Sequence, residues 1–442
     1  MIDFFKKIFA SKDLRKRVIV TLILLFIVRV MAVIPIIGID NIAFRSFFDL
    51  FSGNNKRSGE SLISIIGLLS GSGMENLSIV LLGVGPYITS SIIIQVLSGV
   101  IPALENLSKE GESGRAKLNL IIKIATVPIA FLQSYSMINL LKADPAAGSF
   151  LVEIEGGKFF LAILSTVIGS LAVTWIGDLI SEYGIGNGVS IIIFVGIISA
   201  IPSLFVNILE AGLRQENIPS YILFFLVSVL VLSLVIFITE AERQIPVSYA
   251  KRIRGNKMYG GSSSFLPIKV NQGGVIPIIF AISFINLPGV IAGLFYDAKT
   301  KWIRNMSEKI ASSFTNSNPY YLLGYFLLVI AFSYFYGVIA LQPDKLSENL
   351  QNQGGFIPGI RPGKFTQEYL TKVLNRVTLA GSIFLGLMAV LPTLVIKITN
   401  SQFLTIGGTG LIIVVGTGIE IFRYFESQLT ISSYAPRKNF IR

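Results

Sequence analysis

The sequence predicts an all-α membrane protein with ten transmembrane helices arranged as two inverted five-helix halves. The first observation is composition: 52% of the 442 residues are hydrophobic and only 14% are charged, a balance too apolar for a soluble globular protein. The second is that the apolar residues form ten blocks, each long enough to cross a hydrocarbon core of about 30 Å. The third is the absence of the alternating pattern of about ten residues that marks transmembrane β-strands, so backbone hydrogen bonds must be satisfied within helices.

The order and charge of the loops give the orientation of these spans. The predicted spans are residues 18–37, 77–98, 119–139, 159–179, 188–206, 219–239, 274–295, 320–341, 376–396 and 404–422. Lysine and arginine concentrate on the side of the amino terminus, whereas the opposite loops carry acids such as Asp144, Glu153 and Asp297. By the positive-inside rule both termini are cytosolic, as an even number of spans requires. The first block is long enough to remain as a span and lacks a small-residue cleavage motif, so we expect no cleavable signal peptide.

This topology divides the chain into two halves that are joined on the external side. The predicted units are a cytosolic amino-terminal segment 1–17, a first half 18–206, an external hinge loop 207–218, a second half 219–422 and a cytosolic tail 423–442. Five is an odd number of spans, so the second half must be inverted relative to the first. The second half also carries two long cytosolic loops, 240–273 and 342–373.

The residue types that are missing exclude most catalytic chemistry. The chain has no cysteine and no histidine, which rules out thiolate metal sites, disulfides and histidine-activated nucleophiles. It also lacks the GxxxxGK[ST] loop that binds nucleotide phosphates. We therefore expect no enzyme activity, no metal and no cofactor. A membrane enzyme acting on lipid is disfavoured because it would need paired carboxylates or histidines.

Few ionisable residues fall inside the predicted spans. They include Arg29, Lys123, Asp178 and Glu420, and Arg423 directly follows the tenth span. All lie near span ends, where snorkelling to the membrane interface explains them. A secondary transporter of a small solute, the alternative function, would need such groups at mid-membrane. A passive path driven by an external partner fits the sequence better.

A short apolar segment precedes the second span. Its apolar residues run from Leu62 to Leu69 and are followed by Gly71, Ser72 and Gly73. A helix of about ten residues reaches only about 15 Å, which is too short to cross a membrane. The length predicts a re-entrant helix that enters from the outer side, and an amphipathic helix lying on the outer surface is the alternative.

Glycine and proline interrupt the second and seventh spans at matching places. The interruptions are Gly83, Gly85 and Pro86 in the second span and Gly273, Gly274 and Pro277 at the start of the seventh. Matching interruptions in inverted halves indicate a functional path between them, and ordinary proline-bent spans are the alternative. The same helices carry Ile88, Ile92, Ile279 and Ile282. These side chains form a dewetting constriction if they face a path, and otherwise they contact lipid.

Seven sequence motifs occur in order along the chain: RVMAVIPIIGID, GVGPYITSSIIIQ, KEGESGRAKL, YGIGNGVSIIIF, RQIPVSYAKR, YGGSSSFLPIKVNQGGVIPIIFA and ENLQNQGGFIPGIRPG. They resemble the motifs of the SecY family, the central subunit of the bacterial protein-translocation channel. The match extends over nearly the whole chain. The resemblance implies a channel that moves unfolded secretory polypeptides across the cytoplasmic membrane and releases transmembrane segments laterally into it.

The resemblance also assigns roles to residues inside the membrane. The pore ring is implied at Val84, Ile88, Val189, Ile193, Ile279 and Ile413. The re-entrant helix, residues 61–73, is implied to be a plug containing Leu62, Ile65, Ile66, Leu69 and Gly71. A lateral gate between the second and third spans and the seventh and eighth is implied to contain Thr89, Ile92, Gln133 and Asn286. For the three polar gate residues, routine interhelical hydrogen bonding is the alternative.

The basic residues of the two cytosolic loops are implied to dock a partner. They are Lys251, Arg252, Arg254 and Arg361. Lysine and arginine on glycine- and proline-stiffened loops suit carboxylate or phosphate binding, and enforcing topology or attracting anionic lipid is the alternative. The partners implied by the resemblance are the motor ATPase SecA, the ribosome, the small membrane subunits SecE and SecG, signal sequences, unfolded precursor proteins and membrane lipid.

Overall fold

The computed structural model describes residues 11–36, 77–143, 156–213, 218–249, 252–254, 257–259, 263–295, 300–313, 318–399 and 408–434. These residues form long apolar helices and two small antiparallel sheets. The predicted plug residues Leu62, Ile65, Ile66, Leu69 and Gly71 lie outside the described residues, as does Lys251.

The helices of the first part of the chain are mostly long and apolar. They are α1 (Lys12–Met31), α2 (Gly85–Ser98), α3 (Pro102–Lys109), α4 (Glu112–Ala143), α5 (Gly157–Tyr183) and α6 (Gly188–Leu213). Pro86 and Pro102 occupy the first turns of α2 and α3, where a missing N–H leaves no hydrogen bond unmade. The chain bends by 104° between α2 and α3, so the short polar helix α3 turns away from the axis of α2.

The second part of the chain alternates apolar helices with the two long loops 240–273 and 342–373. Its elements are α7 (Ile218–Glu240), β1 (Glu242–Tyr249), β2 (Arg252–Arg254), β3 (Lys257–Tyr259), β4 (Ser263–Lys269), α8 (Ile276–Leu294), α9 (Lys301–Ser313), α10 (Pro319–Leu341), α11 (Pro343–Asn352), β5 (Gly355–Phe356), α12 (Lys364–Thr399) and α13 (Gly408–Tyr434). Asn318 caps α10 by accepting a hydrogen bond from the backbone N–H of Tyr320, as asparagine commonly does at this position.

A helix overlaps each of the ten predicted spans: α1, α2, α4, α5, α6, α7, α8, α10, α12 and α13. Within the described residues five helices are long and apolar enough to cross a membrane, or six if the bent pair of α2 and α3 is one span. Shorter apolar stretches occur at Gly188–Ser199 and Val229–Glu240.

The second predicted span, 77–98, is wrong at its start. Its helix begins at Gly85, and the preceding residues form turns. Leu77 and Gly83 adopt left-handed backbone angles, with φ of +40° and +51°, which a right-handed helix cannot include. Sequence hydropathy reports apolar character but not this backbone geometry.

The described parts of the two long loops of the second half, 240–273 and 342–373, fold together rather than separately. β1 is the central strand of a three-stranded sheet, paired with β4 from its own loop and with β5 from the next one. The resulting sheet has its own small apolar core, formed by Ile245, Val247, Ile268, Leu350, Ile357 and Leu370. Since both loops contribute to this core, they form one folded unit.

Candidate functional site

The turn segment 77–84 is buried where the first and second predicted spans meet. Its backbone pairs with the end of the first span, because the Ile36 N–H donates to Leu77 O at 2.9 Å and the Ile79 N–H donates to Ile34 O at 2.9 Å. Non-helical backbone is tolerated within a membrane only where protein or a cavity surrounds it. This segment meets that condition, since Leu77 and Val84 are both 0% exposed.

Helix α5 fixes the other side of this segment. Ser170 donates a hydrogen bond from Oγ to Gly83 O at 2.8 Å. Gly169 lies so close that an added Cβ would be 2.0 Å from Ile79 O, so a larger residue there would displace the segment. The segment leads directly into Val84, the first predicted ring residue, which is therefore held in place from two sides.

The structure brings the six predicted ring residues into one apolar cluster. Val84, Ile88, Ile193, Ile279 and Ile413 are each at most 4% exposed, and the partly buried Val189 packs against the same cluster. They come from four helices, α2, α6, α8 and α13, or from the residue directly before one. The cluster itself is a finding, whereas its action as a seal stays a prediction.

Val189 reaches this cluster because the turn between α5 and α6 is tight and enclosed by protein. Gly186 has φ of +56°, and the Gly188 N–H donates to Ser181 Oγ at 2.8 Å. A Cβ at Gly188 would lie 1.9 Å from Gly177 O, so glycine allows the two helices to approach closely. Ile185 in the turn is only 6% exposed and belongs to the same apolar cluster.

Three of the four predicted gate residues line one cavity of about 50 Å³ between α2, α4 and α8. They are Thr89, Gln133 and Asn286. Gln133 Nε2 donates to Thr89 Oγ1 at 3.1 Å, which links α4 to α2. The fourth residue, Ile92, is buried in the large apolar cluster and does not line this cavity.

The α8 side of the cavity has polar atoms without partners. Asn286 is 5% exposed, and neither of its amide atoms has a hydrogen-bond partner among the described residues. The hydroxyl of Ser283, one turn earlier, also has none among them. A buried polar group left unpaired costs about 1–3 kcal/mol. The contact between α8 and the helices opposite is therefore weaker than an apolar one of the same area.

Ser136 and Ser283 also line this cavity, and sequence reasoning missed them. Ser136 donates from Oγ to Val290 O at 2.7 Å, joining α4 to α8. Each serine lies three residues from a predicted gate residue, Gln133 or Asn286, and this spacing places both on one helix face. That periodic pairing of polar residues was the available signal.

The ionisable residues near span ends have specific protein partners, and snorkelling of these side chains to the membrane interface stays a prediction. Arg29 donates from Nη2 to Val195 O at 2.8 Å, joining α1 to α6. Lys123 Nζ lies 2.8 Å from Asp178 Oδ2, joining α4 to α5. Arg423 Nη2 lies 2.9 Å from Glu240 Oε2. These contacts tie neighbouring helices together.

Glu420 on α13 holds the start of α8. Its carboxylate accepts a hydrogen bond from the backbone N–H of Val275. It sits so close to Gly274, which has φ of +60°, that an added Cβ would lie 2.2 Å from Glu420 Oε1. Left-handed Gly274 stands three residues before Pro277, as left-handed Gly83 stands three before Pro86. The sequence similarity between the two interrupted spans thus corresponds to a shared backbone geometry.

The predicted docking arginines lie in two places on the loops 240–273 and 342–373. Arg361 is exposed in the turn between β5 and α12, and its carbonyl accepts a hydrogen bond from Thr366 Oγ1 at 2.9 Å. Gly359 and Gly363 flank it with φ of +83° and +96°. Arg252 and Arg254 lie on β2, which pairs with β3 so that Arg252 is opposite Tyr259.

The comparisons with known proteins identify the family. The family model of SecY matches residues 78–422, which is well over half of the chain. The chain belongs to the SecY family. A "Protein translocase subunit SecY" from Streptomyces galbus is 37% identical over 441 residues, covering 98% of this chain and 99% of the relative.

Solved structures share the fold. One, described as "The plug domain of the SecY protein stablizes the closed state of the translocation channel and maintains a membrane seal", has a TM-score of 0.67 at 18% identity and covers 97% of this chain and 95% of its own. Another, Sec61 in the canine ribosome-channel complex, has a TM-score of 0.63 at 17% identity with the same coverage. The predicted fold class is confirmed.

Proposed function

We propose that this chain forms a protein-conducting channel that moves unfolded secretory polypeptides across the cytoplasmic membrane and releases transmembrane segments laterally. The observation that carries the proposal is the convergence of Val84, Ile88, Val189, Ile193, Ile279 and Ile413 in one apolar cluster. Family membership supports it, because the relative named above is a translocase subunit. The small-solute transporter gains no support, since the intramembrane charges are paired with protein groups.

The apolar cluster suits a seal for variable cargo. A ring of aliphatic side chains excludes ions because it offers them no replacement for hydration water. It also makes no specific polar contact, so polypeptides of different sequence can slide through it. The helices of the ring come from both predicted halves, 18–206 and 219–422, so separation of the halves widens the ring. The predicted plug, residues 61–73, would close the outer side of the ring at rest.

The lateral gate is the contact of α2 and α4 with α8, the helix that carries Asn286. When a signal sequence enters this contact, its apolar surface packs against α2 and α4 in place of the α8 face, which carries unpaired polar atoms. The unpaired amide atoms of Asn286 therefore keep the closed gate only marginally stable, whereas the hydrogen bond from Gln133 to Thr89 ties α4 to α2 on the other side of the gate. Ile92 acts as an apolar neighbour between this seam and the ring.

Energy for transport comes from a bound partner. Arg252, Arg254 and Arg361, together with Lys251, would bind carboxylates of the motor SecA or phosphates of ribosomal RNA. A solved Sec61 relative of similar fold is part of a ribosome-channel complex. The chain itself is not an enzyme, lies in the cytoplasmic membrane with both termini cytosolic, and works with the small subunits SecE and SecG.

The test is SecA-driven, ATP-dependent import of a secretory precursor into vesicles that contain this chain with SecE and SecG. We expect import by the parent, loss of import in Arg361→Glu, and normal import in Lys158→Glu, which reverses an exposed charge at the opposite end of the molecule. Ribosome binding to Arg361→Gln should show a salt slope reduced by about one. Equal import by parent and Arg361→Glu contradicts the docking role, and solute uptake without polypeptide import contradicts the channel itself.

A further inference from the structure

Helix α9 (Lys301–Ser313) plays no part in the ring, gate or docking loops. It lies between α8 and α10, and it is fixed to the end of α8 because Ser307 donates from Oγ to Ala292 O at 2.6 Å. The opposite ends of α8 and α10 lead to the cytosolic sheet formed by β4, β1 and β5. Helix α9 is therefore on the external side.

The apolar stripe of α9 is wider than the part covered by the protein. Ser307 is 3% exposed and faces inward, and Ile303 and Ile310 beside it are half-buried. Continuing around the helix, Trp302 is 70% exposed and Met306 is 43% exposed. Residues four apart share a helix face, so these two large side chains form one uncovered apolar strip.

Aromatic residues at the adjoining helix ends mark the level of a membrane surface. Phe295 directly follows α8 and is 49% exposed, and Tyr320 in the first turn of α10 is 84% exposed. With Trp302 they give three exposed aromatic rings on the external side of neighbouring elements. Tryptophan and tyrosine concentrate at the boundary between acyl chains and headgroups. A helix at this level contacts lipid rather than bulk water.

The polar side of α9 carries a net positive charge. Lys301, Arg304 and Lys309 are exposed cations, and Glu308 is the single acid of the helix, so its net charge is 3 − 1 = +2. Lys309 follows Trp302 by two helical turns and lies on the same side of the helix, and Lys301 is the first residue of the helix, directly before Trp302. Helices with an apolar face and a lysine- or arginine-rich polar face lie in the membrane interface and favour anionic lipids.

We propose that α9 is an interfacial helix that binds the outer surface of the bilayer, with Trp302 and Met306 among the acyl chains and Lys301 and Lys309 on anionic lipid headgroups. The inference does not depend on what the channel transports. It gives the external end of α8 an anchor in lipid through the Ser307 hydrogen bond to Ala292.

Tryptophan fluorescence tests the insertion, because the chain has only two tryptophans. Trp175→Phe leaves Trp302 as the single reporter, and the full chain is reconstituted in vesicles of brominated phospholipid. We expect blue-shifted emission and stronger quenching by bromines placed near the headgroup than by bromines at the chain ends. Emission at the wavelength of a fully hydrated indole, or emission untouched by any brominated lipid, overturns the proposal. The second result would mean that protein covers this face.

Paired brominated lipids test the headgroup preference. Quenching of Trp302 by brominated phosphatidylglycerol and by brominated phosphatidylcholine at equal mole fraction gives the relative binding of the two lipids. We expect an anionic preference that falls roughly five-fold for each of Lys301→Gln and Lys309→Gln at low salt. Lys158→Gln, which removes an exposed lysine on the same external side, leaves the preference unchanged. Equal quenching by both lipids in the parent refutes the anionic site.

Discussion

Replacing Asn286 with leucine tests whether unpaired polar atoms hold the gate near opening. Both amide atoms of this 5% exposed side chain lack partners among the described residues. At about 1–3 kcal/mol for each unpaired group, and with compensation by relaxation, we expect Asn286→Leu to stabilise the closed gate by about 1–3 kcal/mol in total. The extra volume of leucine is taken up by the adjoining cavity of about 50 Å³.

The assay is import of precursors whose signal sequences form a graded series of hydrophobicity. A closed gate more stable by about 1.4 kcal/mol is about ten-fold less often open, so import with weak signals should fall about ten-fold while strong signals are affected less. Thr378→Val is the matched control, because Thr378 Oγ1 is another buried unpaired group but lies on α12 away from the cavity. Both variants should raise Tm in detergent, and only Asn286→Leu should raise the hydrophobicity threshold. A raised Tm with unchanged import of weak signals refutes the reasoning.

Three further predictions concern contacts around the gate helix α8. Ser136→Ala removes the 2.7 Å hydrogen bond from α4 to α8, which is worth about 0.6 kcal/mol in membranes. Precursors with weakly hydrophobic signal sequences should therefore be imported about two- to three-fold faster, and slower import would contradict this. Gly274→Ala brings a Cβ to 2.2 Å from Glu420 Oε1 at φ of +60°, so Tm should fall. Adding Glu420→Ala should relieve the clash but not the backbone strain of about 1–2 kcal/mol, so Tm should recover only in part. Full recovery of Tm in the double variant would show that no strain existed. Burial, more than the Arg423 charge, lowers the pKa of Lys269 below 10.5. The folded state thus disfavours the charged lysine, so Lys269→Met should raise Tm at neutral pH. The gain in Tm should shrink as pH rises through the lowered pKa towards 10.5. A difference in Tm between variant and parent that does not change with pH would contradict this.

The apolar spans were predictable because lipid leaves a long hydropathy signal in sequence. Backbone geometry was less so: Leu77 adopts φ of +40°, which is uncommon for a residue other than glycine. Gly83, Gly85 and Pro86 indicated an interruption of the span, but not that all residues before Gly85 leave the helix. The pairing of β1 with β5 was also out of reach, because it joins Ser248 to Phe356 across two helical spans and the loop between them.

The candidate site also has features that the sequence could predict and features that it could not. Resemblance of motifs implied a ring position for Val189 although it lies at the start of the predicted span 188–206, and the enclosed turn at Gly186 explains how Val189 reaches the apolar cluster. Polar partners were harder to predict, since the Val195 carbonyl that accepts the hydrogen bond from Arg29 lies 166 residues away in the sequence. The roles of the ring, gate and docking residues stay predictions, as do all those of the plug segment.

The joint fold of the loops 240–273 and 342–373 has a mechanical consequence for the proposed docking. A partner that binds there and pushes a polypeptide into the membrane experiences an equal and opposite force, so it needs a support that does not bend. The central strand β1 is bonded to both loops, and the apolar core beneath it is shared by Ile245, Leu350 and Leu370. If Arg361 docks the partner as proposed, a load applied there is spread over the ends of α7, α8, α10 and α12 together, because the shared sheet and core connect them. The thrust reaches the translocating chain instead of being lost in the bending of a single loop.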